Sequence, residues 1–270
     1  MSRYEAMFRR LGENNEGAFI PFVVLYDPDR ATCKKIIQCL IDAGADALEL
    51  GLAFSDPLAD GPTVQKADLR ALRSGSTVSG ALSLVHEIRA LNPLIPIGIL
   101  TYANLVFQQS LDGFYHQCHE SGVDSVVVAD VPLLEAKPFC EAALKHGIDP
   151  VLLAPINLPP ERCQAIAQLG RGYTYVVTRR GVTGADAEVS LAHHDLIKML
   201  NDASAPPPIF GFGIAKPHHI EAALREGAVG AISGSATVSI IEENYSQPEV
   251  MMAKLAEFVK FMKKATHRLS

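Results

Sequence analysis

What most constrains the fold of this chain is a phrase that recurs at the ends of its helical patterns: a glycine, a small or apolar residue, usually an aspartate, then an apolar run. It reads IDAGADALELG at 41–51, ESGVDSVVVAD at 120–130, KHGIDPVLLAP at 145–155 and REGAVGAISGS at 225–235. Gly44, Gly122, Gly147 and Gly227 stand where a helix closes on a left-handed residue. The runs behind them do not alternate polar with apolar, so they suit strands covered on both faces, as in a parallel sheet. Further runs at 18–25, 95–100, 173–177 and 208–212 bring the predicted strands to eight. Helical patterns lie near 30–43, 77–91, 110–121, 134–146, 159–169, 190–201, 217–226 and 249–265, and 54–65 reads as an unusually long loop. Eight βα units over about 250 residues make the α/β class a (β/α)8, or TIM, barrel. An open doubly wound sheet has fewer strands, and no G-x-G-x-x-G follows the first one here. Ser2 and Glu5 form a capping-box pattern ahead of Tyr4, Met7, Phe8 and Leu11, so the chain is expected to open on an extra N-terminal helix and not on a leader. Pro206, Pro207 and Pro208 read as a stiff approach to the seventh strand. With no linker or composition break, residues 1–270 are expected to form a single domain.

Composition narrows the partners. The 24 Lys+Arg against 30 Asp+Glu leave a formal charge of −6 with no basic cluster, which argues against a nucleic-acid surface. With 48% apolar and 20% charged residues the chain can bury a large core. No apolar run approaches the length of a membrane span. The five cysteines show no C-x-x-C pairing and read as reduced thiols of a cytoplasmic protein.

In such a barrel, chemistry belongs at the carboxyl ends of the strands. Glu49 sits there inside an otherwise apolar strand. It is either a structural acid paired with Lys or Arg, or a general acid/base whose pKa burial has raised. In the loop FSDPLADGPTVQ, Asp56 and Asp60 read as turn residues or as a second catalytic carboxylate, and Asp130 as a cap. Three glycine-rich segments end consecutive late strands: Arg180–Gly184, Gly211–Ile214 and Gly230–Ser235. Their free N–H groups suit a phosphate, so a phosphorylated small molecule is implied. The pairs His116/His119, His193/His194 and His218/His219 do not make a metal set, and none is expected. No predicted strand carries a Lys, which removes a Schiff-base aldolase mechanism.

The segments GADALELG, FSDPLADGPT, PIGILTYANLVF, GVDSVVVADVP, GRGYTYVVTRRGVTGA, GFGI and GAISGSA, in this order, resemble the tryptophan synthase alpha subunit. The likeness runs from RYEAMF at the start to FVKFMKKATH at the end. It implies a (β/α)8 barrel that cleaves indole-3-glycerol phosphate to indole and glyceraldehyde 3-phosphate. It further implies an α2β2 complex in which indole passes to a beta subunit carrying pyridoxal phosphate, while the alpha chain needs no cofactor. By resemblance, Glu49 shuttles the protons, Asp60 holds the indole N–H, and Tyr175 lies beside the reacting centre. Phe22, Leu100, Val127, Ala129, Leu153, Thr183 and Phe212 would form the indole pocket. Gly184, Gly213, Gly234 and Ser235 would bind the phosphate. Loops 54–62 and 179–192 would close over substrate, with Thr183 meeting Asp60. Asp56, Pro57, Leu58, Asn104, Phe107 and Pro132, on apolar stretches that read as exposed at one rim, would meet the beta subunit.

Leu52, Ala53, Val24 and Tyr26 depart from the family pattern, which usually has a β-branched residue, Pro, Thr and Gly there. Ala53 and Tyr26 bear on loop rigidity and on partner docking. Three other readings stay open: another phosphate-binding barrel such as indole-glycerol-phosphate synthase, a stand-alone lyase releasing free indole, and a non-catalytic barrel regulating the beta subunit.

Overall fold

Eight parallel strands follow one another around a closed barrel: β1 (Ala18–Val24), β2 (Leu48–Gly51), β3 (Ile97–Thr101), β4 (Ser125–Val128), β5 (Asp149–Pro155), β6 (Thr174–Val177), β7 (Pro208–Gly211) and β8 (Gly230–Ser233). The computed structural model describes residues 1–177 and 194–267. Each strand pairs with the next, and β1 also pairs with β8, so the sheet has no open edge. Every residue of β1, β2, β7 and β8 is buried, as expected of strands walled by helices outside and by one another's side chains within.

The helices are α1 (Arg3–Glu13), α2 (Arg30–Asp42), α3 (Pro62–Arg73), α4 (Val78–Leu91), α5 (Ala103–Phe107), α6 (Leu111–Glu120), α7 (Ala136–Lys145), α8 (Pro160–Leu169), α9 (His194–Asp202), α10 (Pro217–Arg225), α11 (Ser235–Asn244) and α12 (Pro248–Lys264). The four glycines that mark the sequence phrase follow α2, α6, α7 and α10, and all four have positive φ. Helix α1 opens with the expected capping box: Ser2 Oγ accepts the Glu5 N–H, and Glu5 accepts the Ser2 N–H at 2.7 Å. It closes the amino-end mouth of the barrel, with Tyr4 fully buried and its hydroxyl 2.9 Å from Ser125 Oγ. A β-carbon at Gly98 would lie 2.8 Å from that Ser125 Oγ, so the strand beside them is glycine for space.

Three helices correct the sequence reading. The stretch 54–65 is not all loop, because α3 begins at Pro62, where proline suits a first helical position. Val64, Ala67, Asp68 and Ala71 form its buried face, and the polar residue among them hides the pattern. Asn104–Phe107 is part of α5 and is not uniformly exposed: Leu105 and Val106 point into the core. Helix α11 follows β8 directly. Its SATVSII start is rich in β-branched residues and reads more like strand than helix. Tyr26 has φ +73, a region in which glycine is unstrained, and its ring lies against Gly80 of α4. Cys33, Cys118, Cys140 and Cys163 are buried free thiols, and Cys39 is half-buried. Among the described residues no helix is long and apolar enough to cross a membrane.

Candidate active site

Nine of the side chains and backbone positions singled out in the sequence line one cavity at the carboxyl ends of the strands. They are Phe22, Glu49, Asp60, Leu100, Tyr175, Phe212, Gly213, Gly234 and Ser235, joined by Val64 and Ile232. Glu49 is set between Phe22 of β1 and Gly98 of β3 by strand register. It is 1% exposed and has no cationic partner among the described residues. Tyr173 donates to its Oε1 at 2.9 Å, while Oε2 is buried without a partner among the described residues. Burial pushes the Glu49 carboxyl up to about 8; the Tyr173 hydrogen bond opposes this and the charge of Asp60 adds to it. Near neutral pH it therefore holds a proton, on a group whose free oxygen faces an apolar slot. That is the equipment of a general acid.

Asp60 comes from the loop before α3. The Tyr102 hydroxyl donates to its Oδ2 at 2.7 Å and accepts the Ala59 N–H at 3.2 Å. Burial raises the Asp60 pKa, and the tyrosine hydrogen bond lowers it. Tyr175 lies over β7, its ring 5.7 Å from Phe212 and edge-on to it. Gly211 makes room for that tyrosine, since a β-carbon there would fall 2.2 Å from its ring. Phe212 itself has φ +67, a left-handed conformation that L side chains rarely adopt. Such strain persists where the surroundings over-determine it, and here it turns the ring into the cavity.

Gly234 caps the N-terminus of α11 and Ser235 is its first residue. The N–H groups of this helix start line the same cavity as the Gly213 turn and can take an anion. Gly184 and Thr183 lie outside the described residues, as does the whole of the loop expected to close at 179–192.

The remaining candidates are placed as follows. Val127 is buried on β4, in register with Leu100. Ala129 follows β4, its N–H donating to the Thr101 carbonyl. Leu153 is half-buried on β5 beside Tyr175. None of these three is among the residues lining the cavity. Asp56, Leu58, Asn104, Phe107 and Pro132 are exposed and Pro57 half-buried, on the loops after β2 and β4 and on α5 after β3. Asp130 accepts the first N–H of α5 at 2.8 Å, the cap it was read as. Sequence reasoning missed Tyr102, Val64, Ile232 and Tyr173. For Tyr173 there was a signal: it stands two residues from Tyr175, and period-two spacing puts both on one strand face. Among the described residues no group of three or more His, Cys, Asp and Glu could hold a metal ion.

Comparison with known proteins agrees with this geometry. The sequence model of the family "Tryptophan synthase alpha chain" matches residues 8–267. The chain is 52% identical to the tryptophan synthase alpha chain of Serratia proteamaculans, over 98% of its own length and 99% of the relative's. It is also 52% identical to that of Escherichia coli, with the same coverage. Among solved structures it is similar to the tryptophan synthase alpha subunit of Legionella pneumophila, with TM-score 0.88, 27% identity and 98% of each chain covered. A chain from the tryptophan synthase α2β2 complex of Pyrococcus furiosus superposes with TM-score 0.83 at 35% identity, covering 92% of this chain and 98% of that one.

Proposed function

The chain belongs to the tryptophan synthase alpha chain family, and from that premise we propose that Glu49 and Asp60 divide the acid–base work of a retro-aldol cleavage. The enzyme is a carbon–carbon lyase of tryptophan biosynthesis, and its alpha reaction splits indole-3-glycerol phosphate into indole and glyceraldehyde 3-phosphate. Protonated Glu49 gives its proton to indole C3, turning the ring into an electron-poor indolenine. Asp60, anionic, takes the hydrogen bond of the ring N–H and offsets the positive charge that develops there. The Glu49 carboxylate then removes the proton of the side-chain hydroxyl. The C3–carbon bond breaks, its electron pair restores the aromatic ring, and the aldehyde leaves. Glu49 ends protonated, as it began.

The observation that carries this reading is Glu49 itself: buried, with no cation against it among the described residues, neutral near pH 7 and open at one oxygen in an apolar slot. Phe22, Leu100, Val64, Phe212 and Ile232 supply walls that fit an indole. Gly213, Gly234, Ser235 and, outside the described residues, Gly184 supply phosphate donors. Val127 and Leu153 back that wall in strand register with Leu100 and Tyr175, Ala129 and Thr183 join the pocket by resemblance alone, and Tyr175 flanks the reacting carbon. We assign the rim of Asp56, Pro57, Leu58, Asn104, Phe107 and Pro132 to the beta subunit. Leu58 and Phe107 are 83% and 58% exposed, a surface that a partner would cover. Pyridoxal phosphate then belongs to that partner, and the acid–base steps draw only on this chain. One core cluster running from Tyr4 to Ala265 supports treating 1–270 as one domain. The reading puts the enzyme in the cytoplasm, beside its partner.

Indole release by the purified chain and by Glu49→Gln, each with and without a beta subunit, tests the assignment. The expected result is slow release alone, strong stimulation by the partner, and about a 10³-fold loss in the mutant under both conditions. Turnover of Glu49→Gln within tenfold of the parent would remove Glu49 from the chemistry. Brisk release with no stimulation would point to a stand-alone lyase.

A further inference from the structure

Helix α3 carries a buried acid that the reaction derived above does not use. Asp68 is 4% exposed and sits on the inward face of the helix with Val64, Ala67 and Ala71. Its carboxyl accepts the backbone N–H of Phe54, and its Oδ2 is buried without a partner among the described residues. Among the described residues the charges that act on it are both acids: Asp60 on the loop and Asp27 after β1. The Tyr102 hydroxyl, neutral, also feels its charge. The nearby cations are committed elsewhere. Arg70 holds Asp27 through two nitrogens at 2.7 and 2.9 Å, and Lys66 reaches Glu242 of α11 at 2.7 Å. Burial therefore pushes the Asp68 carboxyl up to about 8, with the charge of Asp60 adding to the shift.

Two acids in one dry corner do not both ionise near neutrality, and they titrate as a pair. Hydrogen bonding decides which keeps the charge. Asp60 accepts the Tyr102 hydroxyl, whereas Asp68 accepts a backbone N–H and keeps Oδ2 buried with no partner among the described residues. The same residues hold the loop at two points. Asp68 takes the N–H of Phe54, whose ring stacks on Tyr102 at 5.2 Å, and Tyr102 takes the N–H of Ala59.

We propose that Asp68 is a positioning residue for the alpha reaction: its neutral carboxyl clamps the Phe54 end of the loop and leaves the anion on Asp60, where the indole N–H needs it. The inference rests on the role given to Asp60 above. Ionising Asp68 places a second charge beside Asp60 in a site that ligand makes drier. The bound form therefore keeps the Asp68 proton more tightly than the free form, and affinity falls as the pH passes through its titration.

The test is calorimetric binding of the phosphate ester of 3-(3-hydroxypropyl)indole, which has no hydroxyl to deprotonate. It is run on the full chain between pH 7 and 9.5, above the titration of a phosphate ester near pH 6. Glu49→Gln is the background, so that Glu49 does not titrate. With Asp68 present, affinity is expected to fall about tenfold across this range, equivalent to one unit of pKa difference between free and bound forms. With Asp68→Asn, or with Asp68→Ser as a second neutral acceptor, the fall is expected to shrink below about twofold on the same scale. A slope that survives undiminished in either folded variant overturns the proposal. Turnover kept by Asp60→Asn would instead overturn the role of Asp60, while the pH comparison still decides whether Asp68 titrates with ligand.

Discussion

Carboxylates are buried at both ends of this barrel, and the two ends treat them in opposite ways. At the amino end Asp46 meets Arg10 at 3.1 Å and Lys263 at 2.8 Å, and Asp124 meets Arg3 at 2.8 Å and Arg89 at 2.6 Å. Lys263 also reaches Glu16 at 2.8 Å, and that hydrogen bond lowers the Glu16 pKa. At the carboxyl end Glu49, Asp60 and Asp68 touch hydroxyls and a backbone N–H, and no cation among the described residues. All three have raised pKa values, with burial the first cause of each. Each end also holds an exception: at the carboxyl end buried Asp27 is held by Arg70 at 2.7 and 2.9 Å, and at the amino end burial pushes Asp149 up to about 6, with Asp124 and Glu5 adding to the shift and Arg171 opposing it. The contrast separates two uses of one residue type. A paired carboxylate ties α1 and α12 to the strand starts. An unpaired one destabilises the fold and, in return, holds a proton that chemistry near neutral pH can use.

The comparison can be broken from either end. The largest effect is expected at Asp60→Asn, which keeps the shape but loses the charge facing the indole nitrogen. Its turnover should fall about 10²- to 10³-fold, with an unchanged circular dichroism spectrum. Turnover within threefold would mean that the carboxyl-end acids are not a working pair.

Next comes Arg89→Met at the amino end, which leaves Asp124 with the half-exposed Arg3 and the Ile97 N–H. Urea unfolding should show a loss of about 3 kcal/mol while kcat per folded molecule stays constant. A fall in kcat with no change in stability would invert the division of labour.

Glu49→Gln should act on stability in the other direction. The folded Glu49 keeps its proton up to about pH 8, against 4.5 for the ordinary group. Native protein therefore binds the extra proton between those values, and the stability of the parent falls as pH rises through that window. Glutamine has no proton to lose, so the variant should be more stable by about 2 kcal/mol at pH 6 and equal to the parent near pH 4. Urea melts across that range read the difference, and parallel profiles would mean that Glu49 is ionised in the folded chain. The smallest effect belongs to Lys66→Ala, which cuts an exposed ion pair to α11. It should change stability by less than about 0.5 kcal/mol, and a larger loss would show that surface pairing also matters at this end.

What could be read from the sequence follows from local rules. A strand buried on both faces needs an unbroken apolar run, and a helix closing into it needs a left-handed residue, so glycine and apolar spacing announced all eight strands within a residue or two of their ends. Helices α3 and α11 escaped because one hides a buried aspartate in its apolar face and the other is β-branched. Glu49 stood out as one polar residue in an apolar strand, and the late glycines stood out by repetition. Family resemblance, not pattern, singled out Phe22, Leu100, Tyr175 and Phe212, because an apolar strand end lining a cavity looks the same as one packed in a core.

By itself, then, the sequence determined the barrel, the end at which the cavity lies and the acids near it. Only the tertiary structure decided which of those acids keep a proton. A burial pattern is carried by residues a few positions apart, whereas proton affinity is set by whatever the fold brings alongside. Glu49 takes its hydrogen bond from a tyrosine 124 positions away, and Asp60 from one 42 positions away. Asp124 takes its arginines from 121 and 35 positions away. No local spacing distinguishes a carboxyl that will meet a cation from one that will meet a hydroxyl, because that choice is made when the barrel closes.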